Sequence, residues 1–134
     1  MRTRVLIVDD DPGAAEAFGP MLTSSGYDVS VAADGESGLD LIERDGPAAI
    51  LVDLHLPTID GVEFLRRLRS GSSHAEIPVA VLTGDYLVDD DVTQRLQRLG
   101  ARLFFKPLWE DDLNRIVSDL LGVGSETTTR QAVT

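Results

Sequence analysis

Cysteine is absent from the 134-residue sequence, which excludes disulfide bonds and thiolate metal sites. No uncharged apolar run is long enough to cross a bilayer. The opening residues, Met1-Arg2-Thr3-Arg4, lead into an apolar stretch that is shorter than a signal-peptide core. We therefore expect a cytoplasmic protein.

Basic residues are scarce, with 12 lysines and arginines against 23 acidic residues and a formal net charge of -11. This charge repels phosphate backbones and anionic lipids, so we expect no direct binding to nucleic acid or to membranes. The cluster of Arg66, Arg67 and Arg69 is typical of a solvated helix face. The chain favours arginine but keeps a single lysine, Lys106, which indicates a chemical role for that residue.

The order of apolar segments indicates the fold class. Length and composition favour one globular domain. Five short apolar runs are typical of buried strands and are separated by segments long enough for a helix, namely 5–8, 29–32, 48–52, 79–82 and 103–105. This alternation predicts a doubly wound α/β fold, a five-stranded parallel sheet with helices on both faces.

Apolar residues at helical spacing predict the helices, over 14–24, 36–43, 62–69, 88–99 and 110–121. Gly19-Pro20 falls inside the first of these. Proline removes a backbone donor and its ring meets the carbonyl of Glu16, so we expect a kink or an early break there. The domain is expected to span 1–122, and the polar segment 123–134 to be a disordered tail or a truncated linker.

Polar side chains follow four of the predicted strands. The first strand is followed by Asp9 and Asp10, the third by Asp53, the fourth by Thr83 and the fifth by Lys106. In an open parallel sheet, groups just past the carboxyl ends of the strands meet in the crevice where strand order reverses. We therefore expect three carboxylates, one hydroxyl and one ammonium group to converge.

Carboxylates at close quarters repel one another, and a divalent cation resolves the repulsion. Oxygen ligands without histidine or cysteine suit Mg²⁺ or Mn²⁺. Aspartate can act as a nucleophile that forms an aspartyl phosphate, which makes Asp53 the candidate phosphoacceptor. The Lys106 ammonium and the Thr83 hydroxyl are candidate groups for stabilising the charge of the transferred phosphoryl group.

Each of these residues also has a structural interpretation. Asp11-Pro12 is typical of a helix N-terminus, and a lone aspartate at a strand end, such as Asp53, commonly forms a turn. Phe104, Phe105 and Trp109 are typical of core or interface packing. The conjunction of these polar groups at successive strand ends is what favours the phosphoryl chemistry.

Four motifs occur in order: Val-Asp-Asp-Asp-Pro at 8–12, Val-Asp-Leu-His-Leu-Pro-Thr-Ile-Asp-Gly at 52–61, Leu-Thr-Gly at 82–84 and Phe-Lys-Pro at 105–107. With these motifs, the sequence from 4 to 121 resembles the response regulator receiver family of two-component signalling systems. The resemblance implies the CheY-like, flavodoxin-like sheet with strand order 2-1-3-4-5.

The same resemblance implies a phosphoacceptor domain that promotes only its own phosphorylation and dephosphorylation. Asp53 would take a phosphoryl group from a histidine kinase or a histidine phosphotransfer protein, and Mg²⁺ would be required. Relatives bind an output protein or a second copy through the face of the fourth helix, fifth strand and fifth helix. Here that face includes Leu103, Trp109 and Asp112 or their neighbours.

The resemblance also assigns metal ligands: Asp10 and Asp53 directly, Asp9 chiefly through water, and His55 through its backbone carbonyl. It implies that Thr83 and Lys106 bind the phosphoryl oxygens. A cis bond at Lys106-Pro107 is usual in similar proteins.

Other positions bear on regulation. His55 and Asp85 occupy positions that tune dephosphorylation in relatives. The family commonly has an aromatic switch residue three positions before the lysine, where this chain has Leu103, and Phe104 is the alternative switch. The activating motion is therefore left open by the sequence.

Three rival functions compete with the phosphoacceptor interpretation of these motifs. A receiver that acts only as a scaffold, without phosphorylation, is one alternative. A phosphatase of the haloacid dehalogenase type fits poorly, because Asp11-Pro12-Gly13 replaces the Asp-x-Asp-x-Thr pattern of that family. A flavodoxin-like cofactor carrier would need a hydroxyl-rich phosphate loop after the first strand, and this sequence lacks one. No DNA-binding output domain fits after the predicted domain, so this polypeptide is expected not to bind DNA by itself, whether it is a stand-alone regulator or part of a longer one.

Overall fold

Five strands alternate with five helices in the computed structural model, which describes residues 2–71 and 73–122. The strands are β1 (Arg4–Val8), β2 (Asp28–Ala32), β3 (Ala49–Asp53), β4 (Val79–Thr83) and β5 (Ala101–Phe105). The helices are α1 (Pro12–Ser24), α2 (Gly35–Asp45), α3 (Gly61–Ser70), α4 (Asp90–Arg98) and α5 (Glu110–Leu121). The predicted alternation of strands and helices is confirmed.

The strands form one parallel sheet in the order β2-β1-β3-β4-β5, as the resemblance implied. Val8 at the end of β1 is paired with Ala32 of β2 and with Val52 of β3. Strand order therefore reverses on the two sides of β1, and the crevice lies beyond the carboxyl ends of β1 and β3. The loops that follow these two strands carry the acidic residues.

A separate apolar core lies on each face of the sheet. The core on one face joins strand residues to α2, α3 and α4, with Ile42, Phe64 and Leu96 fully buried. The core on the other face joins the sheet to α1 and α5 through Leu22 and Leu113. Since successive side chains of a strand point to opposite faces, the continuous apolar runs of the central strands supply both cores.

Aspartates determine where most of the helices begin. The side chains of Asp11, Asp34, Asp60 and Asp89 each accept a hydrogen bond from a backbone N–H in the first turn of the next helix. Asp89 places the start of α4 at Asp90, two residues later than the prediction of 88. Asp11 was correctly interpreted as a cap.

Of the two outcomes expected at Gly19-Pro20, the early break is wrong, because α1 continues through Pro20 to Ser24, and the kink stays a prediction. Pro20 cannot donate a backbone hydrogen bond to the Glu16 carbonyl, and both residues are exposed. Water can therefore bind the Glu16 carbonyl that loses its donor. Phe18 and Leu22 on the buried side hold the helix against the sheet.

Strand β5 begins at Ala101, two residues earlier than predicted. This strand lies at the edge of the sheet, and Arg102 is exposed there, so the apolar pattern that signals a buried strand is interrupted. The predicted tail, 123–134, lies outside the described residues. Among the residues that are described, no helix combines the length and the apolar character needed to span a membrane.

The loop between β3 and α3 is tightly constrained. Thr58 adopts a φ of 69°, an uncommon and strained conformation for a β-branched residue. The Gly61 N–H donates to the Leu54 carbonyl at 2.8 Å. A Cβ on Gly61 would lie 2.9 Å from the Asp53 carbonyl oxygen and 2.9 Å from the Leu54 Cα. The absence of a side chain at Gly61 therefore lets α3 begin directly against the end of β3.

Gly61→Ala is expected to destabilise the protein by about 1–3 kcal/mol, because the clash is with backbone atoms that cannot rotate away. Urea unfolding measures the change. Gly19→Ala is the matched control, since a Cβ there has nothing within 4 Å and alanine is favoured inside a helix. Equal stability of the two variants would contradict the close approach at Gly61.

Candidate metal and phosphoryl site

Three carboxylates meet at the carboxyl edge of the sheet. Asp9 and Asp10 follow β1, and Asp53 ends the neighbouring strand β3. One carboxylate oxygen from each lies within 4.8 Å of those of the other two. Asp9 is buried, Asp53 exposes 12% of its side chain, and Asp10 is exposed. The predicted convergence of these acids is therefore present, and one side of the cluster is open to solvent.

Lys106 joins the cluster from the end of β5. Its Nζ donates to Asp9 Oδ2 at 2.9 Å and to Asp53 Oδ1 at 3.4 Å. Its ammonium group also lies 5.9 Å from the centre of the Phe18 ring, at the limit of a cation–π contact. The single lysine of the chain therefore partly neutralises two carboxylates that would otherwise repel each other.

The electrostatics of the cluster shift two pKa values upward. Burial raises the pKa of Asp53, the Lys106 charge opposes that effect, and the Asp9 charge adds to it. Burial alone would lower the pKa of Lys106, but its hydrogen bond to Asp9 and the charges of Asp53 and Asp9 raise that pKa overall. The ionised Asp53 is thus incompletely compensated by lysine alone, and a further cation would favour its charged form.

The donor set of the cluster fits a hard divalent cation. Its side-chain ligands are carboxylate oxygens only, which Mg²⁺ and Mn²⁺ prefer. The exposure of Asp10 leaves room for water ligands on the solvent side. Mg²⁺ typically keeps several waters in such sites.

Thr83 ends β4, directly after Leu82, which is paired with Asp53 of β3, and Thr83 is fully buried. Its Oγ1 accepts a hydrogen bond from the Asp85 N–H at 3.0 Å. Because the hydroxyl accepts this bond, its own proton remains available for donation to a second partner. A Cβ at Gly84 would have nothing within 4 Å, so the backbone next to Thr83 is open to approach.

His55 and Asp85 form a contact across the mouth of the crevice. The His55 Nε2 lies 3.0 Å from Asp85 Oδ2, and both side chains are partly exposed. A bond from the Leu87 N–H and the contact with His55 lower the pKa of Asp85. The sequence places both residues near the site, but it gave no sign of this contact, which depends on the relative positions of two loops.

The candidate switch residues point in different directions. Leu103 packs against the core that contains α4, and Phe104 packs against the core that contains α5. Phe105 is 43% exposed and stacks on Tyr86, with ring centroids 5.4 Å apart. The Tyr86 hydroxyl donates to the Lys106 carbonyl. Nothing in the sequence singled out Tyr86, because no spacing rule links this loop residue to Phe105 and Lys106 at the end of β5.

The turn after Lys106 matches one expectation directly. The Lys106-Pro107 bond is cis. Trp109, in the same turn, is 69% exposed. Its backbone N–H donates to Asp112 Oδ2 at 3.0 Å at the start of α5. Trp109 is therefore a surface residue rather than a core residue.

Known structures share this arrangement of strands and helices. The chemotaxis response regulator CheY4 of Vibrio cholerae gives a TM-score of 0.82 at 26% identity, covering 90% of this chain and 100% of that chain. The receiver domain of the sensor histidine kinase PA1611 from Pseudomonas aeruginosa PAO1 has a magnesium ion coordinated in its active site cleft. It gives a TM-score of 0.81 at 30% identity, covering 91% of this chain and 99% of that chain. The fold places the protein in the CheY-like class of signalling domains.

Comparison with known sequences leads to the same class of protein as the fold. The response regulator receiver domain family matches residues 5–118. Response regulator MprA of Mycolicibacterium vanbaalenii is 40% identical over 101 residues, covering 75% of this chain and 41% of that protein. MprA of Mycobacterium bovis is 39% identical with the same coverage. The chain belongs to the response regulator receiver domain family, and it spans about two fifths of the length of these relatives.

Proposed function

We propose that this receiver domain accepts a phosphoryl group on Asp53 in a reaction that requires Mg²⁺. The observation that carries the proposal is the position of Asp53 between two further carboxylates and the Lys106 ammonium. A cluster of acids with one lysine and a buried hydroxyl contains the groups that in-line phosphoryl transfer needs for positioning and charge neutralisation.

In this proposal, an Asp53 carboxylate oxygen forms the new bond to phosphorus while the bond from phosphorus to the leaving group of the donor breaks. Lys106 and Thr83 bind the phosphoryl oxygens. Asp10 and Asp53 would hold the cation directly, Asp9 through water, and His55 through its backbone carbonyl. A bound cation would neutralise part of the phosphoryl charge. Mn²⁺ prefers similar ligands and is expected to substitute.

The donor is proposed to be a histidine kinase or a histidine phosphotransfer protein in the cytoplasm. Family membership supports this assignment, since receivers act in two-component systems. The face of α4, β5 and α5 is proposed to bind an output protein or a second copy. Exposed Trp109 and partly buried Leu103 contribute apolar surface there.

Intact mass measurement after incubation with acetyl phosphate tests the proposal. With Mg²⁺ present, we expect the mass of the intact protein to rise by about 80 Da, one phosphoryl group. Peptide mapping should place this group on a peptide that contains Asp53. Removing the cation with a chelator should abolish the gain, since the carboxylates alone repel the anionic donor. An adduct on another residue, or one that persists with chelator, would contradict the proposal.

Two further assays, one with a histidine donor and one with phosphate monoesters, distinguish the rivals. A scaffold receiver would bind Mg²⁺ and give no adduct with acetyl phosphate or with any histidine donor. A phosphatase of the haloacid dehalogenase type would turn over phosphate monoesters catalytically. The close contacts of Lys106 with Asp9 and Asp53 favour the phosphoacceptor over the scaffold, because a scaffold has no need for this charge arrangement.

A further inference from the structure

A groove between α3 and α4 is lined by residues other than those of the acidic cluster. Its volume is about 240 Å³, and its lining residues are Val62, Arg66, Arg95, Arg98 and Leu99. Val62 and Leu99 supply an apolar floor, and the side chains of three arginines line the rest of the groove. In a chain with a net charge of -11, three arginines in one groove are a local concentration of basic residues, although Glu63 offsets the charge of Arg66.

The arginines of the groove differ in their partners. The Arg66 guanidinium donates twice to the Glu63 carboxylate, at 2.8 and 2.7 Å. Within residues 2–71 and 73–122, neither Arg95 nor Arg98 forms an ion pair, although acidic residues outnumber basic ones by 23 to 12. Both lie in the last turn of α4, where a positive charge suits the helix dipole. The dipole explains their place along the helix but not the apolar floor beside them.

A neighbouring residue, Arg69, holds the groove in shape. Its guanidinium donates to the Leu99 carbonyl at 2.7 Å, to the Ile77 carbonyl at 2.6 Å and to the Ala75 carbonyl at 3.0 Å. These bonds tie α3 to the end of α4 and to the segment that enters β4. The groove is therefore formed before any partner binds, which lowers the ordering cost of association.

We propose that this groove docks a short acidic segment of a partner protein, with an apolar side chain of that segment seated between Val62 and Leu99. Guanidinium groups bind carboxylates in a planar, bidentate geometry. Among the described residues, no carboxylate occupies Arg95 or Arg98, so both can bind an acidic ligand in this way. A short segment responds mainly to charges within the Debye length of about 8–10 Å, so the overall negative charge does not prevent its approach. An extended polyanion would meet the acidic remainder of the surface. This docking does not depend on phosphoryl transfer.

A labelled hexapeptide that alternates glutamate and leucine is the probe. Fluorescence anisotropy gives its affinity for the whole chain, and amide chemical shifts locate it. We expect the largest shifts around Val62 and Leu99. We expect the double variant Arg95→Gln and Arg98→Gln to bind at least about tenfold more weakly, since two charge-assisted contacts are lost. Raising the salt concentration should weaken binding to the unaltered protein.

The control variant carries Arg2→Gln and Arg44→Gln, which removes the same charge from exposed positions outside the groove. It should bind the peptide like the unaltered protein. Two control peptides have lysine in place of glutamate or serine in place of leucine, and both should bind more weakly. Equal binding by the two double variants, shifts centred elsewhere, or equal competition by inorganic phosphate or by RNA would overturn the proposal.

Discussion

Asp53→Asn is expected to abolish the phosphoryl adduct and to stabilise the cation-free fold at neutral pH. The first effect follows because an amide is not a nucleophile toward phosphorus under these conditions. The second follows because burial and the Asp9 charge raise the pKa of Asp53 above its ordinary value in spite of Lys106. The ionised side chain therefore costs folding free energy at neutral pH, and the neutral amide does not.

The sign of the pH dependence makes this prediction specific. For an acid whose pKa is higher in the folded state, the folded protein binds more protons than the unfolded one between the two pKa values. The stability of the unaltered protein should then decline as pH rises from the ordinary value of 3.8 through the raised value. Asp53→Asn should lose this decline, and its advantage over the unaltered protein should vanish at low pH.

Urea unfolding across this pH range, with chelator present, measures the difference. Asp40→Asn, at an exposed position on α2, makes the same charge change outside the cluster and serves as the control. If both variants stabilise the protein equally, the effect belongs to net charge rather than to the site. Adding Mg²⁺ should stabilise the unaltered protein more than Asp53→Asn, because the cation binds the folded state through that carboxylate.

The sequence predicted the fold where local pattern and tertiary context agree. Central strands such as β1 and β3 are buried on both faces, so their apolar runs are continuous and easily recognised. β5 is an edge strand with exposed Arg102, and its first two residues were missed for that reason. Pro20 was judged by its local cost alone, whereas exposure of the affected carbonyl and the buried anchors of α1 decide the outcome.

The candidate site was predictable because topology fixes it. A parallel sheet with right-handed connections brings the ends of β1, β3, β4 and β5 to one edge, so residues such as Asp53 and Lys106 must approach each other. The pairing of His55 with Asp85 and the stacking of Tyr86 on Phe105 were not predictable. These contacts depend on loop conformation, which has no periodic signal in the sequence.

The Arg66, Arg67 and Arg69 cluster shows how one sequence feature can contain three different environments. Arg67 pairs with Glu63 on the surface, as a solvated helix face predicts. Arg69 instead turns inward to backbone carbonyls, and burial lowers its pKa. Arg66 lines the groove beside α4. The sequence places three basic residues within four positions of one helix, but the neighbouring elements decide which of them faces solvent.

Lys106→Met is expected to destabilise the cation-free protein by about 3 kcal/mol at neutral pH, because it leaves a buried carboxylate without its counter-charge. Methionine preserves most of the apolar stem, so the change falls mainly on the ammonium group. Asp9 exposes only 4% of its side chain, and its bond to Lys106 is the shorter of the two at 2.9 Å. The same substitution should slow phosphorylation by acetyl phosphate by about 10²–10³, the usual effect of removing one donor to a developing anion.

The raised pKa of Lys106 determines how its contribution to stability changes with pH. The pKa of Lys106 is raised in the folded state, so its contribution is complete below its ordinary value of 10.5 and is lost only as pH rises through the raised value. The penalty of Lys106→Met should shrink in acid, where Asp53, whose pKa is raised, becomes protonated. It should also shrink when Mg²⁺ is added, and when Asp53→Asn is combined with it, since either change reduces the repulsion between Asp9 and Asp53. A penalty that is the same in all three conditions would mean that lost packing against Phe18, rather than lost charge, is the cause.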